Sequence, residues 1–171
     1  MTAKLLNERD DIKLDLGEDD PFMAGMVHDI GKQVLGFFFN EMFQMVGEEI
    51  RGKASTMLDI EMDVLGLTHS DIGQALASKW QLPDILSQVI GMHHKPALAD
   101  SSVEMVRLIY IADICARQVG FSFVEKPQQH TIDERVLEAI GMDSDQLNAI
   151  FKEVESTVRT QVNDTFSAIF S

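Results

Sequence analysis

The sequence predicts an all-α protein, a compact helical bundle, on two observations. Apolar residues recur at spacings of three and four almost throughout, as at Met23, Met26, Val27, Ile30 and Val34, which is the period of a helix with one buried face. Strict alternation, the mark of a half-buried strand, is nowhere sustained. With 171 residues, 45% of them hydrophobic, the chain can bury a real core as one unit without disulfide staples.

The elements follow from their start and stop signals. Residues 1–19 read as part of a helix followed by an acidic loop open to fraying, and residues 20–171 as the domain proper with a C-terminal pair of helices. Asp20 followed by Pro21 opens a helix expected to run unbroken to about Phe39, since an aspartate caps free amides and proline is tolerated in a first turn. Glu41 to Arg51 forms a second helix stopped at Gly52, and Ser55 to Leu65 a third stopped at Gly66. Thr68 caps a fourth. Leu82-Pro83 is a break from which a fifth starts, because the residue before proline is pushed out of helical geometry. Val103 to Val119 is a sixth, ended by Gly120, and the stretch FSFVEKPQQH after it is the one long loop. Helices near Ile132 to Ile140 and Ser144 to Phe170 complete the chain.

Charge and cysteine content narrow the classes of function. Fourteen basic against 28 acidic residues leave a net charge of −14, which repels nucleic-acid phosphates and anionic lipid and argues against both as direct partners. No apolar run reaches membrane-spanning length, and the acidic opening MTAKLLNERDD is unlike a signal peptide. Single Cys115 cannot form an internal disulfide, so a cytoplasmic location fits best.

The residues that carry chemistry form an ordered set: His28-Asp29, His69, His93-His94 and Asp113, which takes four of the five histidines. Imidazole nitrogen and carboxylate oxygen suit borderline and hard divalent metals, and a helical bundle can converge such groups from several helices. Each element alone carries little weight, because a lone histidine on an apolar helix is usually a packed or surface residue. The surroundings add specificity. Gly25-Met-Val-His28-Asp29-Ile-Gly31-Lys32 resembles the signature helix of the HD superfamily of metal-dependent phosphohydrolases. Leu67-Thr-His69-Ser-Asp-Ile-Gly73-Gln-Ala-Leu76, Lys79-Trp80-Gln-Leu82-Pro83 and Ile90-Gly-Met-His93-His94 are similar to its HDOD branch, and Tyr110-Ile-Ala-Asp113 matches the superfamily's aspartate helix.

That resemblance implies a bundle of the HD-domain type in which His28, Asp29, His69, His93, His94 and Asp113 are metal ligands. Asp29 and Lys32 would be the residues acting on substrate, with Lys32 meeting a phosphate oxygen or simply remaining solvated. The implied cofactor is a divalent metal, iron, manganese, magnesium or zinc, with a metal-free protein as the alternative. Residues 1–27 hold no histidine, whereas the catalytic relatives use one on the preceding helix, and Lys95-Pro96-Ala97 stands where the cyclic-dinucleotide phosphodiesterases carry Gly-Tyr-Pro. HDOD proteins usually carry a further helical portion ahead of this half, so the chain is either a shortened member or a fragment.

The function expected is therefore a bacterial-type signal-transduction output module with degenerate catalysis, acting through a signalling partner or a homodimer, with a nucleotide as a candidate ligand. The alternative is a divalent-metal phosphohydrolase acting on a nucleotide or cyclic dinucleotide. Phe37, Phe38, Phe39, Met42, Phe43 and Met45 exceed what one helical stripe needs, and this region or the tail Phe166 to Phe170 is expected to make the contact. Glu61 reads as a solvated acid with a supporting carboxylate as the alternative, Trp80 as core, and His130 as surface.

Overall fold

The computed structural model describes residues 2–9, 12, 14–51, 55–120 and 132–170, excluding the side chains of residues 5, 158 and 161–170. Among these the chain is helical without strands: α1 (Thr2–Asn7), α2 (Pro21–Val27), α3 (Ile30–Phe38), α4 (Asn40–Glu49), α5 (Met57–Leu65), α6 (His69–Lys79), α7 (Asp84–Met92), a 3-10 turn (Pro96–Leu98), α8 (Val103–Gln118), α9 (Glu134–Ala139) and α10 (Ser144–Phe170). The sequence-predicted loop after Gly120, His130 within it, and the Phe166 to Phe170 side chains lie outside the described residues.

Helix α8 is the axis of the bundle. Met105, Val106, Leu108, Ile109, Ile111, Ala112, Ile114 and Cys115 are all buried, and a helix apolar on nearly every side is one surrounded by others. Helices α1, α2, α7 and α10 pack against it. The opening residues are part of this core rather than frayed: Ala3 and Leu6 are buried in it, and Arg9 reaches Glu153 of α10 at 2.9 Å. Cys115 is buried, and burial pushes its thiol up to about 12, so it is inert in the native protein.

Local chemistry sets the helix ends. Asp20 Oδ1 accepts from the Phe22 amide at 2.8 Å, with Pro21 in the first turn. Thr56 and Thr68 each make a reciprocal capping box, with Asp59 and Asp71 respectively. Gly66 closes α5 in the left-handed region at φ 74°, a conformation glycine adopts without steric cost. The Thr68 hydroxyl donates to Asp71 at 2.7 Å and holds that carboxyl below its ordinary value. A carboxyl lowered by folding contributes stability above its unfolded value, near pH 4, and loses it as pH falls through the folded value. Thr68→Ala is expected to cost about 1 kcal/mol in urea unfolding at neutral pH, with a smaller difference in strong acid.

The expected single helix from Pro21 to about Phe39 is two. It breaks at His28-Asp29, where Asp29 adopts φ −101°, ψ 18°. On one continuous helix adjacent side chains point about 100° apart, whereas the break lets both residues of the doublet face the same pocket. Trp80 is also corrected. It is 57% exposed, because it caps α6 beyond Ala77, the last residue that helix buries.

Helices α4 and α5 form a hairpin with a small core of its own, Val46, Ile50 and Ile60, separate from the main cluster. At the α3–α4 elbow Phe43 points inward, while Phe37 and Phe38 are 81% and 78% exposed and Phe39, Met42 and Met45 are exposed beside them.

Candidate metal centre

Three helices and the break between α2 and α3 deliver the set of predicted residues to one place. His28 and Asp29 occupy that break, His69 is the first residue of α6, His93 and His94 follow α7, and Asp113 lies in α8. The close approach of α3 to α6 depends on glycine, since a Cβ on Gly31 would stand 1.8 Å from the His69 carbonyl oxygen, and that of α6 to α7 does too, since one on Gly73 would stand 2.6 Å from Ile90 Cγ2. These approaches set Asp29 Oδ1 3.3 Å from His69 Nε2 and 3.5 Å from His93 Nε2. The His69 and His94 Nε2 atoms are 3.1 Å apart. His28 Nε2 lies 3.4 Å from Asp29 Oδ2 and 3.8 Å from Asp113 Oδ1, and His94 Nδ1 lies 4.0 Å from Asp113 Oδ2. These last three are ion-pair distances or longer, too long for good hydrogen bonds.

Three of the four imidazoles, those of His28, His69 and His93, are oriented from behind. The Nδ1 of His28 faces the Gly25 carbonyl oxygen at 2.7 Å, and that of His93 faces the Val89 and Ile90 carbonyls at 3.1 Å. Carbonyl oxygens only accept, so these nitrogens carry protons. The Nδ1 of His69 donates to Glu61, 2.7 Å from Oε2 and 2.9 Å from Oε1, and Glu61 Oε2 also accepts from the His69 amide at 2.9 Å. With each Nδ1 proton turned outward, three Nε2 atoms face inward. His28 Nε2, His93 Nε2 and Asp29 Oδ1 are buried without a hydrogen-bond partner.

That donor set fits a divalent cation. Buried polar atoms left unsatisfied are costly, and Asp29, His69, His93 and His94 offer ligand atoms all within 4.8 Å of one another. Two donors about 2.1 Å from a shared ion stand roughly 3.0–3.4 Å apart, which is the spacing of the Asp29, His69 and His94 atoms. Outward hydrogen bonds from metal-binding imidazoles, to carboxylate or carbonyl, are also the usual way of fixing tautomer and ring orientation.

The pocket's electrostatics show how it is compensated from within. Burial opposes charge on His28, but Asp113 and Asp29 outweigh it and raise the imidazole to about 10. Burial likewise opposes ionisation of Asp29, yet His28, His69 and His93 hold it well below the usual carboxylate range. His93 and His94 are lowered, chiefly by burial. Lys32 pairs with Asp29 Oδ2 at 2.5 Å, so it is neither free nor merely solvated. Arg117 does the same for Asp113 from one helical turn away.

Of the residues that support the pocket, Glu61 corrects the sequence reading and Arg117 was missed by it. Glu61 is fully buried and supports His69 rather than being solvated. A signal existed: Met57, Ile60, Glu61, Val64 and Leu65 lie at helical spacing, so Glu61 is an acid within an apolar stripe. Arg117 was signalled only by its i, i+4 spacing from Asp113.

The sequence profile of the HDOD domain matches residues 2–96, more than half of the chain. The chain belongs to the HDOD domain family. An uncharacterized protein of Treponema pallidum (strain Nichols) is 28% identical over 101 residues, which are 57% of this HDOD chain and 19% of that protein. A crystal structure of a Marinobacter aquaeolei VT8 protein, provisionally assigned to signal transduction, superposes with a TM-score of 0.70 at 22% identity, covering 87% of this chain and 31% of that one. An HDOD domain protein of unknown function from Geobacter sulfurreducens gives a TM-score of 0.70 at 21% identity, over 93% of this chain and 56% of that one. The HDOD chain thus spans less than two thirds of each of these proteins, and the two structures share its fold.

Proposed function

We propose that this HDOD chain is a signal-transduction output module that holds a divalent metal in its HD-type pocket, has lost most catalysis, and acts by protein contact. The observation that carries the reading is the apolar elbow. Phe37, Phe38, Phe39, Met42 and Met45 are all exposed, and from Gln33 to Ile50 the sequence has three glutamates and no lysine or arginine. Soluble monomers rarely expose so dense an apolar run unless it binds something. Its acidic rim favours a basic partner and speeds that partner's approach.

In this reading the pocket binds iron, manganese or zinc in preference to magnesium, since imidazoles outnumber carboxylates among the convergent atoms. When bound, such an ion polarises a phosphoryl oxygen and acidifies a coordinated water. The chain's own residues fix the donors: Gly25, Val89, Ile90 and Glu61 orient the imidazoles, while Lys32 and Arg117 hold the two aspartates. The near completeness of that set favours a second reading, a metal-dependent phosphohydrolase with a nucleotide or cyclic-dinucleotide substrate. A cytoplasmic site of action belongs to the first reading and suits the lone, buried Cys115; no described helix is long and apolar enough to cross a membrane.

One set of measurements separates the two. Elemental analysis of purified protein is expected to give near one equivalent of metal, with hydrolysis of a generic phosphodiester near background after manganese or iron is added. Phe37→Ser with Phe38→Ser should abolish partner capture or self-association while leaving the fold and metal content intact. Robust metal-dependent turnover would reverse the ranking, and undiminished association of the double variant would remove the elbow as the contact surface.

A further inference from the structure

Glu61 ties the pocket to the α4–α5 hairpin, whose small apolar core is distinct from the main one and whose other packing onto the pocket helices runs through α3. On one side, its carboxylate accepts from the His69 amide and from the His69 Nδ1–H, so its negative charge is spent on the first residue of α6. That contact keeps the proton on Nδ1 and leaves Nε2 facing Asp29 and His94. On the other side, its neighbour Ile60 completes the small core with Val46 and Ile50, which belongs to the α4–α5 hairpin alone. Three buried apolar residues, with Met57, Val64 and Leu65 partly buried against them, make a small core, and segments so held open locally at low free energy. A buried carboxylate, by contrast, is held hard to its partner, because leaving it unpaired in a dry site is expensive.

We infer that Glu61 is a positioning residue that couples metal occupancy at His69 to the order of the α4–α5 hairpin, and so to the presentation of the Met42 and Met45 surface. The inference rests on the reading that the pocket binds a divalent metal. Charge drawn from an imidazole through Nε2 strengthens the hydrogen bond its Nδ1–H donates. Metal at His69 therefore tightens Glu61 against α6 and steadies α5, and through Ile60 it steadies α4. Coupling of this kind is reciprocal: the factor by which metal favours the ordered hairpin is the factor by which the ordered hairpin favours metal, so loosening the hairpin weakens metal binding.

The test uses the full chain with Zn2+ and Mn2+ in separate titrations, followed by hydrogen exchange at saturating metal. In the wild type, metal is expected to slow exchange over residues 40–65 as well as over α6 and α7. Glu61→Gln should bind roughly ten-fold more weakly and, when saturated, should keep the slowing in α6 and α7 but lose it over residues 40–65. Val46→Ala, which touches no group of the pocket, should weaken metal several-fold alone and not at all in the Glu61→Gln background, a non-additivity that reports the link itself. Should Glu61→Gln fail to fold, the affinity of Val46→Ala decides: wild-type affinity there overturns the coupling. A wild-type hairpin indifferent to bound metal, or Glu61→Gln binding as tightly as the wild type, also overturns it while leaving the pocket reading standing. Wild-type protein that binds neither ion overturns both.

Discussion

Gly31→Ala is expected to be among the most damaging single-methyl additions in the protein. A Cβ at this position would lie 1.8 Å from the His69 carbonyl oxygen, 2.7 Å from its carbonyl carbon and 3.0 Å from the Gly73 amide nitrogen. All three are backbone atoms, so no side-chain rotation can relieve the clash and α3 must move away from α6. Overpacking typically costs 1–3 kcal/mol where side chains can adjust; with backbone as the obstacle a loss of about 3 kcal/mol or more in urea unfolding is expected. Because the same crossing sets the distance between Asp29 and His69, metal content should fall with stability. Gly36→Ala is the comparison, since a Cβ there meets only Phe43 Cδ1 at 3.9 Å. Replacing that helical glycine should be neutral or stabilising by up to about 1 kcal/mol. Equal effects of the two substitutions would show that the α3–α6 contact is not as close as described.

The second large effect is expected at Asp29. Its carboxylate is shared among His28, His69, His93 and Lys32, and Asp29→Ala would leave the Lys32 ammonium without that partner and the His28 imidazole with Asp113 alone. Breaking one side of a buried pair costs about 3–5 kcal/mol. The Asp29 side chain is 30% exposed although its Oδ1 is buried, so about 2–3 kcal/mol is the appropriate expectation after allowing for solvent. The variant should also purify without metal, as its missing Oδ1 lies among the other donor atoms. Thermal unfolding and elemental analysis check both. Loss of a strong wild-type phosphodiesterase activity, with stability unchanged, would instead mark Asp29 as a catalytic residue in a working enzyme.

From the sequence, apolar period and the Asp20-Pro21 start favour a single helix through His28-Asp29, and nothing local forbids it. The break serves a tertiary end, turning two adjacent side chains into one pocket while Gly31 meets α6. Glu61 was discounted because acids on short helices are usually solvated, although its place in the Met57, Ile60, Val64, Leu65 stripe pointed inward. Trp80 erred the other way: its size favoured burial, but it stands where α6 ends and the chain reverses through Gln81 at φ 55°.

What the sequence by itself determined was local and periodic: which segments are helical, where Thr68, Pro83 and Gly66 start or stop them, and which residue types could serve a metal. These depend on neighbours a few positions away, so they are legible without coordinates. The HDOD resemblance extended that reading to an ordered ligand set from His28 to Asp113. Only the tertiary structure decided that those groups meet, that Glu61, Lys32 and Arg117 hold them, and that Phe37 and Phe38 face solvent. Such outcomes are settled by distances between residues tens of positions apart in the chain, set by close helix crossings and by charges that must be paired once water is excluded.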